Sequence, residues 1–177
     1  MQNSIEGQKP ISHQENAVPV PQSLEILREF SAPVEELFQA FTKPDVIKIW
    51  WWPQNLYADH VDLDFREGGK YFINMKGFDR GGGGMTGIFQ EIIPNKRIVM
   101  SDQFADLNGK PISAREAKMA GNWPEEVRIT LEFSSLGDNG SQLHLSQEGI
   151  PAELQADCIQ GWEQSFDKLE NYLYKNS

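Results

Sequence analysis

Near the C-terminus Leu154, Cys158, Trp162, Phe166, Leu169 and Leu173 recur at steps of three and four. That is the period of one helical face, so Pro151 to Tyr174 reads as a long amphipathic helix. Pro151 suits a first helical position, where its missing N–H costs nothing. Glu153 in the first turn complements the helix dipole. Gly161 and Ser165 are small residues beside Trp162 and Phe166. A mid-helix glycine costs roughly 1 kcal/mol relative to alanine, so a close approach or a need for room is expected there. A stripe of large and small residues suits a helix laid on a curved sheet with a cavity between them.

The rest of the chain supplies the sheet. Leu24 to Phe30 reads as a first strand, with Leu24, Ile26 and Phe30 on one side. Ser31 is the expected cap of a helix with Pro33 in its first turn and Leu37, Phe38 and Phe41 on its apolar side. Pro44 starts a second short helix that ends in Ile49-Trp50-Trp51-Trp52-Pro53. Three consecutive tryptophans cannot share one core face, so at least one is expected at a rim, a cleft or a partner surface. From Val61 the period falls to two, with strands expected over 61–66, 70–76, 85–93, 97–104, 127–133 and 142–148. The order strand, two helices, six strands, helix indicates an α+β fold with an antiparallel sheet. Ala105 to Glu126 interrupts it and is the lid candidate, with Ser113–Ala120 as a possible short helix inside it. Residues 1–22 carry no helical or strand period and read as a disordered or loosely attached leader to a domain over 23–177.

Composition narrows the function classes. A chain of 177 residues with 39% hydrophobic content fits one domain with its own core. Its net charge of −10 argues against nucleic acid or an anionic membrane surface as the main partner. A single cysteine, Cys158, rules out an intramolecular disulfide and favours a cytoplasmic address. No segment approaches the ~20 apolar residues of a membrane span.

Chemistry-bearing patterns are sparse. Gly82, Gly84 and Gly87 satisfy G-x-G-x-x-G, but a strand follows where a phosphate-binding helix is required. His13, His60 and His144 lack the spacing of a metal site, so no metal and no cofactor is implied. Cys158 on the apolar helix face reads as a packed thiol. Glu91 and Glu132 would be acid–base groups only if they faced inward, and the alternation around Glu132 turns it outward. No catalytic residue is assigned. What remains is an aromatic and methionine set flanking the helix: Trp50, Trp51, Tyr71, Met75, Met85, Phe89, Met100, Phe104, Met119, Trp123, Trp162 and Phe166. Together with Gly161 and Ser165 these are the candidate ligand-binding residues, because apolar pockets suit adaptable Met and aromatic linings.

Several stretches, taken in order, carry a resemblance. They are Ala32-Pro33 with Phe38 and Phe41, Trp50-Trp51 before Pro53, and Asp64-Phe65-Arg66-Glu67-Gly68-Gly69. Gly87 to Pro94 with Arg97-Ile98-Val99, Asn122-Trp123-Pro124 and Gly161-Trp162 complete the series. The chain resembles the START-like (SRPBCC) superfamily, and within it proteins related to the C-terminal domain of the activator of Hsp90 ATPase. The resemblance implies a helix-grip fold, a seven-stranded antiparallel sheet wrapped round the C-terminal helix. It departs from the family at Trp52, where glycine is frequent, and nothing in the chain resembles the separate N-terminal domain of eukaryotic Hsp90 activators. The function expected first is binding of a small apolar or amphipathic molecule between sheet and helix, with Trp50–Trp52 and Ala105–Glu126 at the mouth. One alternative is a protein-interaction module of Hsp90-activator type, acting with a chaperone through exposed tryptophans; a protein partner or a homodimer is expected on that reading. The other is a hydrolase or cyclase of small apolar compounds, which a closed cavity with one buried polar group would favour.

Overall fold

A computed structural model describes residues 23–77 and 83–176. The leader expected over 1–22, His13 and Gly82 lie outside the described residues. The elements in chain order are β1 (Leu24–Phe30), α1 (Val34–Gln39), α2 (Pro44–Trp50), β2 (Val61–Leu63) and β3 (Lys70–Asn74). There follow β4 (Gly84–Ile93), β5 (Arg97–Ala105), β6 (Val127–Ser135), β7 (Ser141–Glu148) and α3 (Gln155–Asn176). They form one antiparallel sheet in the order β1-β7-β6-β5-β4-β3-β2, so β1 joins the far side through β7. This is the α+β antiparallel arrangement that the strand and helix periods indicate, and the helix-grip fold that the resemblance implies.

Period-two alternation sets the inner face. Val127, Ile129, Leu131 and Phe133 of β6 are buried, and so are Leu143 and Leu145 of β7. They meet Phe166, Leu169 and Leu173 of α3, which are also buried. On the outer face Glu132 contacts Arg97 at 2.8 Å and His144 at 3.2 Å, so its side chain does point away from the core. Arg28 reaches from β1 to Glu163, Asp167 and Glu170, spaced by four and three along α3, at 2.7–2.9 Å. That spacing is one helical face, and it fixes the rotation of α3 on the sheet edge.

Local departures have local causes. Ser31 does not cap α1; Pro33 occupies the N-cap and makes no side-chain cap bond, and its carbonyl receives the Leu37 N–H. Pro151 caps a single 3-10 turn, Ala152–Leu154, before α3 begins. The segment between β5 and β6 forms no α-helix over 113–120. Ser113 and Glu116 cap each other, and Lys118 turns the chain with φ 57°.

After α2 the chain from Trp51 to Leu56 is pinned by one cation. Lys168 Nζ donates to the carbonyls of Trp52, Pro53 and Leu56 at 2.8–3.0 Å, a position where burial lowers the pKa of the amine. Lys168→Met keeps the hydrocarbon stem and removes the donor. It is expected to cost about 1–2 kcal/mol on urea denaturation, with faster hydrogen exchange at the Leu56 amide. Unchanged exchange there would mean that Lys168 does not hold the loop.

Candidate functional site

The β5 strand carries the site. Its alternation aims Ile98, Met100, Asp102 and Phe104 at the concave face. Ile98 and Met100 line an apolar space of about 10 Å³ together with Trp51, Ile73, Phe89 and Leu131. That is room for about one water, far below the roughly 300–1,000 Å³ of a small-molecule pocket. Next along β5 lies Asp102, only 5% exposed. Phe104 follows, half-buried, with its ring 5.2 Å from that of Trp123.

Tyr71 of β3 reaches across β4 to meet Asp102. Its hydroxyl lies 2.7 Å from the Ser101 carbonyl and 2.6 Å from Asp102 Oδ1. The crossing needs a gap in β4, and Gly87 provides it. A Cβ at Gly87 would collide with the Ser101 carbonyl and stand 2.9 Å from the Tyr71 ring. Between the pairs Thr86–Gln103 and Phe89–Met100 the Ile88 N–H donates to Ser101 Oγ at 3.1 Å, while the Ser101 carbonyl accepts from Tyr71. A β-bulge follows at Phe89/Glu91, the kind of irregularity that re-aims side chains beside sites. Burial pushes the Asp102 carboxyl up to about 7, against the lowering effect of the Tyr71 bond. Burial, with the charge of Asp102 beside it, drives the Tyr71 phenol well above its ordinary range.

The expected ligand-binding residues fall into separate groups. Tyr71, Phe89 and Met100 are buried around Asp102, with the Tyr71 and Phe89 rings 5.5 Å apart. Met85 lies opposite Phe104 in the β4–β5 register, and with Trp123 they form a half-buried group at the end of the sheet. Met75 and Met119 are half-buried too. Trp162 stacks near Trp51 at 5.4 Å and Phe166 at 5.5 Å, and its Nε1 donates to Gln147.

One expectation about the mouth is corrected, and of the two readings of Gly161, close approach or room, the second falls. Trp50 is 0% exposed and Trp51 6%, because α2 is enclosed between the sheet and α3. The Trp50 Nε1–H donates to the Ala40 carbonyl, and its ring packs on Phe41 and Phe166. Trp52 alone of the three is partly exposed, donating to the Asn74 carbonyl. Gly161 does not hold space open over the sheet; its missing side chain faces Pro53, whose Cγ would lie 3.4 Å from a Cβ. Ser165 is buried and returns its hydroxyl to the Gly161 carbonyl. Asp102 is not among the residues that the sequence marks for the site, although its place two residues from Met100 and Phe104 puts it on the same strand face.

The segment after β5 closes over this end. Its turns bond within themselves, Asp106 accepting from Asn108 and Lys110, and Trp123 Nε1 donating to Ala120. Gly121 rests against Leu154 and Pro151 at the start of the long helix. Among the described residues no cluster of three or more His, Cys, Asp or Glu could hold a metal ion, and no helix is long and apolar enough to cross a membrane.

The family described as "Activator of Hsp90 ATPase homolog 1-like protein" matches residues 31–174. Human "Activator of 90 kDa heat shock protein ATPase homolog 1" is 27% identical over 152 residues, 84% of this chain and 36% of its own length. The mouse protein of that name gives the same identity and coverage. The chain thus spans about a third of the length of these curated relatives. Among solved structures, a Chromobacterium violaceum protein superposes with a TM-score of 0.70 at 27% identity, covering 85% of this chain and 96% of its own. An AHSA1 protein from Silicibacter pomeroyi gives 0.70 at 21% identity, covering 88% and 100%, and speaks to the fold alone.

Proposed function

The chain belongs to the Activator of Hsp90 ATPase homolog 1-like family, and on that premise we propose that it binds a small apolar or amphipathic molecule between the sheet and the N-terminal half of α3. One contrast carries the reading. Phe166, Leu169 and Leu173 in the C-terminal half are buried, while Leu154, Cys158 and Trp162 pack on the same core only in part. Gly121 meets Leu154 where that length begins, and two residues on, the partly exposed Trp123 packs on Phe104, which lies opposite Met85. Because the interior space is only about 10 Å³, a ligand of ordinary size has to displace the 106–126 segment. Several of its turns bond within the segment, while the bond from the Ile112 N–H to the Phe104 carbonyl and the contact of Gly121 with Leu154 are what such a movement has to break.

The interaction-module reading loses the surface assigned to it, since Trp50 and Trp51 are buried. The hydrolase or cyclase reading gains a buried polar group in Asp102, but a single carboxyl with its tyrosine serves recognition without further assumption.

Titration with the neutral solvatochromic dye Nile red tests the proposal. The parent is expected to bind about one equivalent with a blue-shifted emission. Cys158→Trp places a large ring on the partly closed helix face, and should weaken dye binding at least tenfold while the circular dichroism stays that of the parent. No dye binding by the parent, or equal binding by two folded proteins, would overturn the site.

A further inference from the structure

We propose that Asp102 is the polar anchor of this site and receives the ammonium head of a small apolar amine, whose hydrocarbon part lies toward Met85, Phe104 and Trp123. The inference rests on the binding reading above and goes beyond it by naming the ligand class.

The position of Asp102 is the first ground. It sits between Met100, at the interior space that Ile47 and Trp51 close, and Phe104, at the half-closed end, on the inner face of the sheet. A buried carboxyl is expensive unless something compensates it. Yet among the described residues Asp102 forms no ion pair, and Tyr71 is the one side chain hydrogen-bonded to it.

Counting protons gives the second ground. A tyrosine hydroxyl has one hydrogen, and a backbone carbonyl can only accept. Tyr71 is nevertheless within 2.7 Å of the Ser101 carbonyl and 2.6 Å of Asp102 Oδ1. Both contacts are full hydrogen bonds when Asp102 is the neutral acid, giving its proton to the phenol oxygen while Tyr71 donates to Ser101. The raised carboxyl pKa, about 7, agrees with that state. Oδ2 is then an acceptor with no side-chain partner among the described residues, and its fitting partner is a donor.

A carboxylate ligand brings no donor to Oδ2, and a plain hydrocarbon gains nothing from the group. An amine gains most. If it arrives neutral, the Asp102 proton moves to its nitrogen, giving carboxylate and ammonium with no further reactant. If it arrives as ammonium, that proton leaves to solvent. In either case Tyr71 turns its hydrogen to Oδ1, and a low-dielectric ion pair forms where the free protein has none.

Hexylamine, 1-hexanol and hexanoate share a chain length and differ in the head. In the parent, hexylamine is expected to displace Nile red at a concentration at least tenfold below that of 1-hexanol, with hexanoate weakest. In Asp102→Asn, folded by near-ultraviolet circular dichroism, the ratio of hexylamine to hexanol should fall to about one. Independently of any variant, hexylamine but not hexanol should move the ¹³C resonance of the parent's Asp102 carboxyl to the carboxylate position. A parent that binds Nile red but shows no amine preference would overturn the anchor and leave the apolar site standing. So would a preference that survives in Asp102→Asn, or an unmoved carboxyl resonance. A parent that binds no dye would overturn both.

Discussion

Asp102→Asn is expected to make the protein more stable at pH 8, by up to about 4 kcal/mol, with the gain shrinking toward pH 4. The figure follows from the rise of the carboxyl from 3.8 to about 7 on burial, at about 1.4 kcal/mol per pKa unit. The folded pKa lies above the unfolded one, so between these values the native state holds more protons. Stability from this group is full below about pH 4, falls as pH rises toward 7, and is lost above it. Asparagine keeps a partner for Tyr71 and does not ionise, so the variant has no such slope. Urea denaturation of both proteins from pH 4 to pH 8 checks this. A constant difference across that range would show that Asp102 is not buried as a neutral acid. A residue that costs stability at neutral pH is the kind retained for a site, which is why this measurement bears on function as well.

Period, where it was simple, made the fold legible. The alternation in Val127–Phe133 and the three-and-four spacing in Phe166–Leu173 describe the inner face of β6 and the buried side of α3. The same rule would have found Asp102, since Met100 and Phe104 bracket it at a spacing of two. Local pattern marks Glu91 and Glu132, which pair with Arg97 on the outer face, and no single strand shows that Tyr71 crosses a gap at Gly87 to reach a neighbour's carboxyl. The tryptophan run was opaque for another reason. Trp50 ends α2, and Trp51 continues in helical geometry as its C-cap. Successive residues on a helix point about 100° apart, so both are buried only because that helix end is enclosed by Phe41 on one side and by Trp162 of α3 on another. Enclosure is a tertiary fact, and local pattern does not carry it. Gly161 likewise reads as room for a ligand until Pro53 is seen beside it.

Phe166→Ala is expected to cost about 3–5 kcal/mol, the range for deleting a fully buried ring. Phe166 is 0% exposed and packs on two other elements as well as on its own helix. Its ring centroid lies 6.1 Å from Phe30 of β1, 6.4 Å from Trp50 of α2 and 5.5 Å from Trp162 of α3. Neighbours that are themselves rings held in place, Trp50 by its bond to the Ala40 carbonyl and Trp162 by Gln147, collapse poorly into the space. Little of the lost contact is therefore recovered. Against a typical total of 5–15 kcal/mol, the loss brings the whole domain near its unfolding threshold, and chemical denaturation should show one cooperative transition moved to lower urea. A cost below about 1 kcal/mol would mean that the ring is not the tie between sheet, α2 and α3. Cys158→Trp, two turns earlier on the same helix, is expected to change dye binding while leaving the transition near its place. That difference between two positions on one apolar stripe is the physical content of the proposed site: the C-terminal half of α3 holds the fold, and its N-terminal half is left free enough to hold something else.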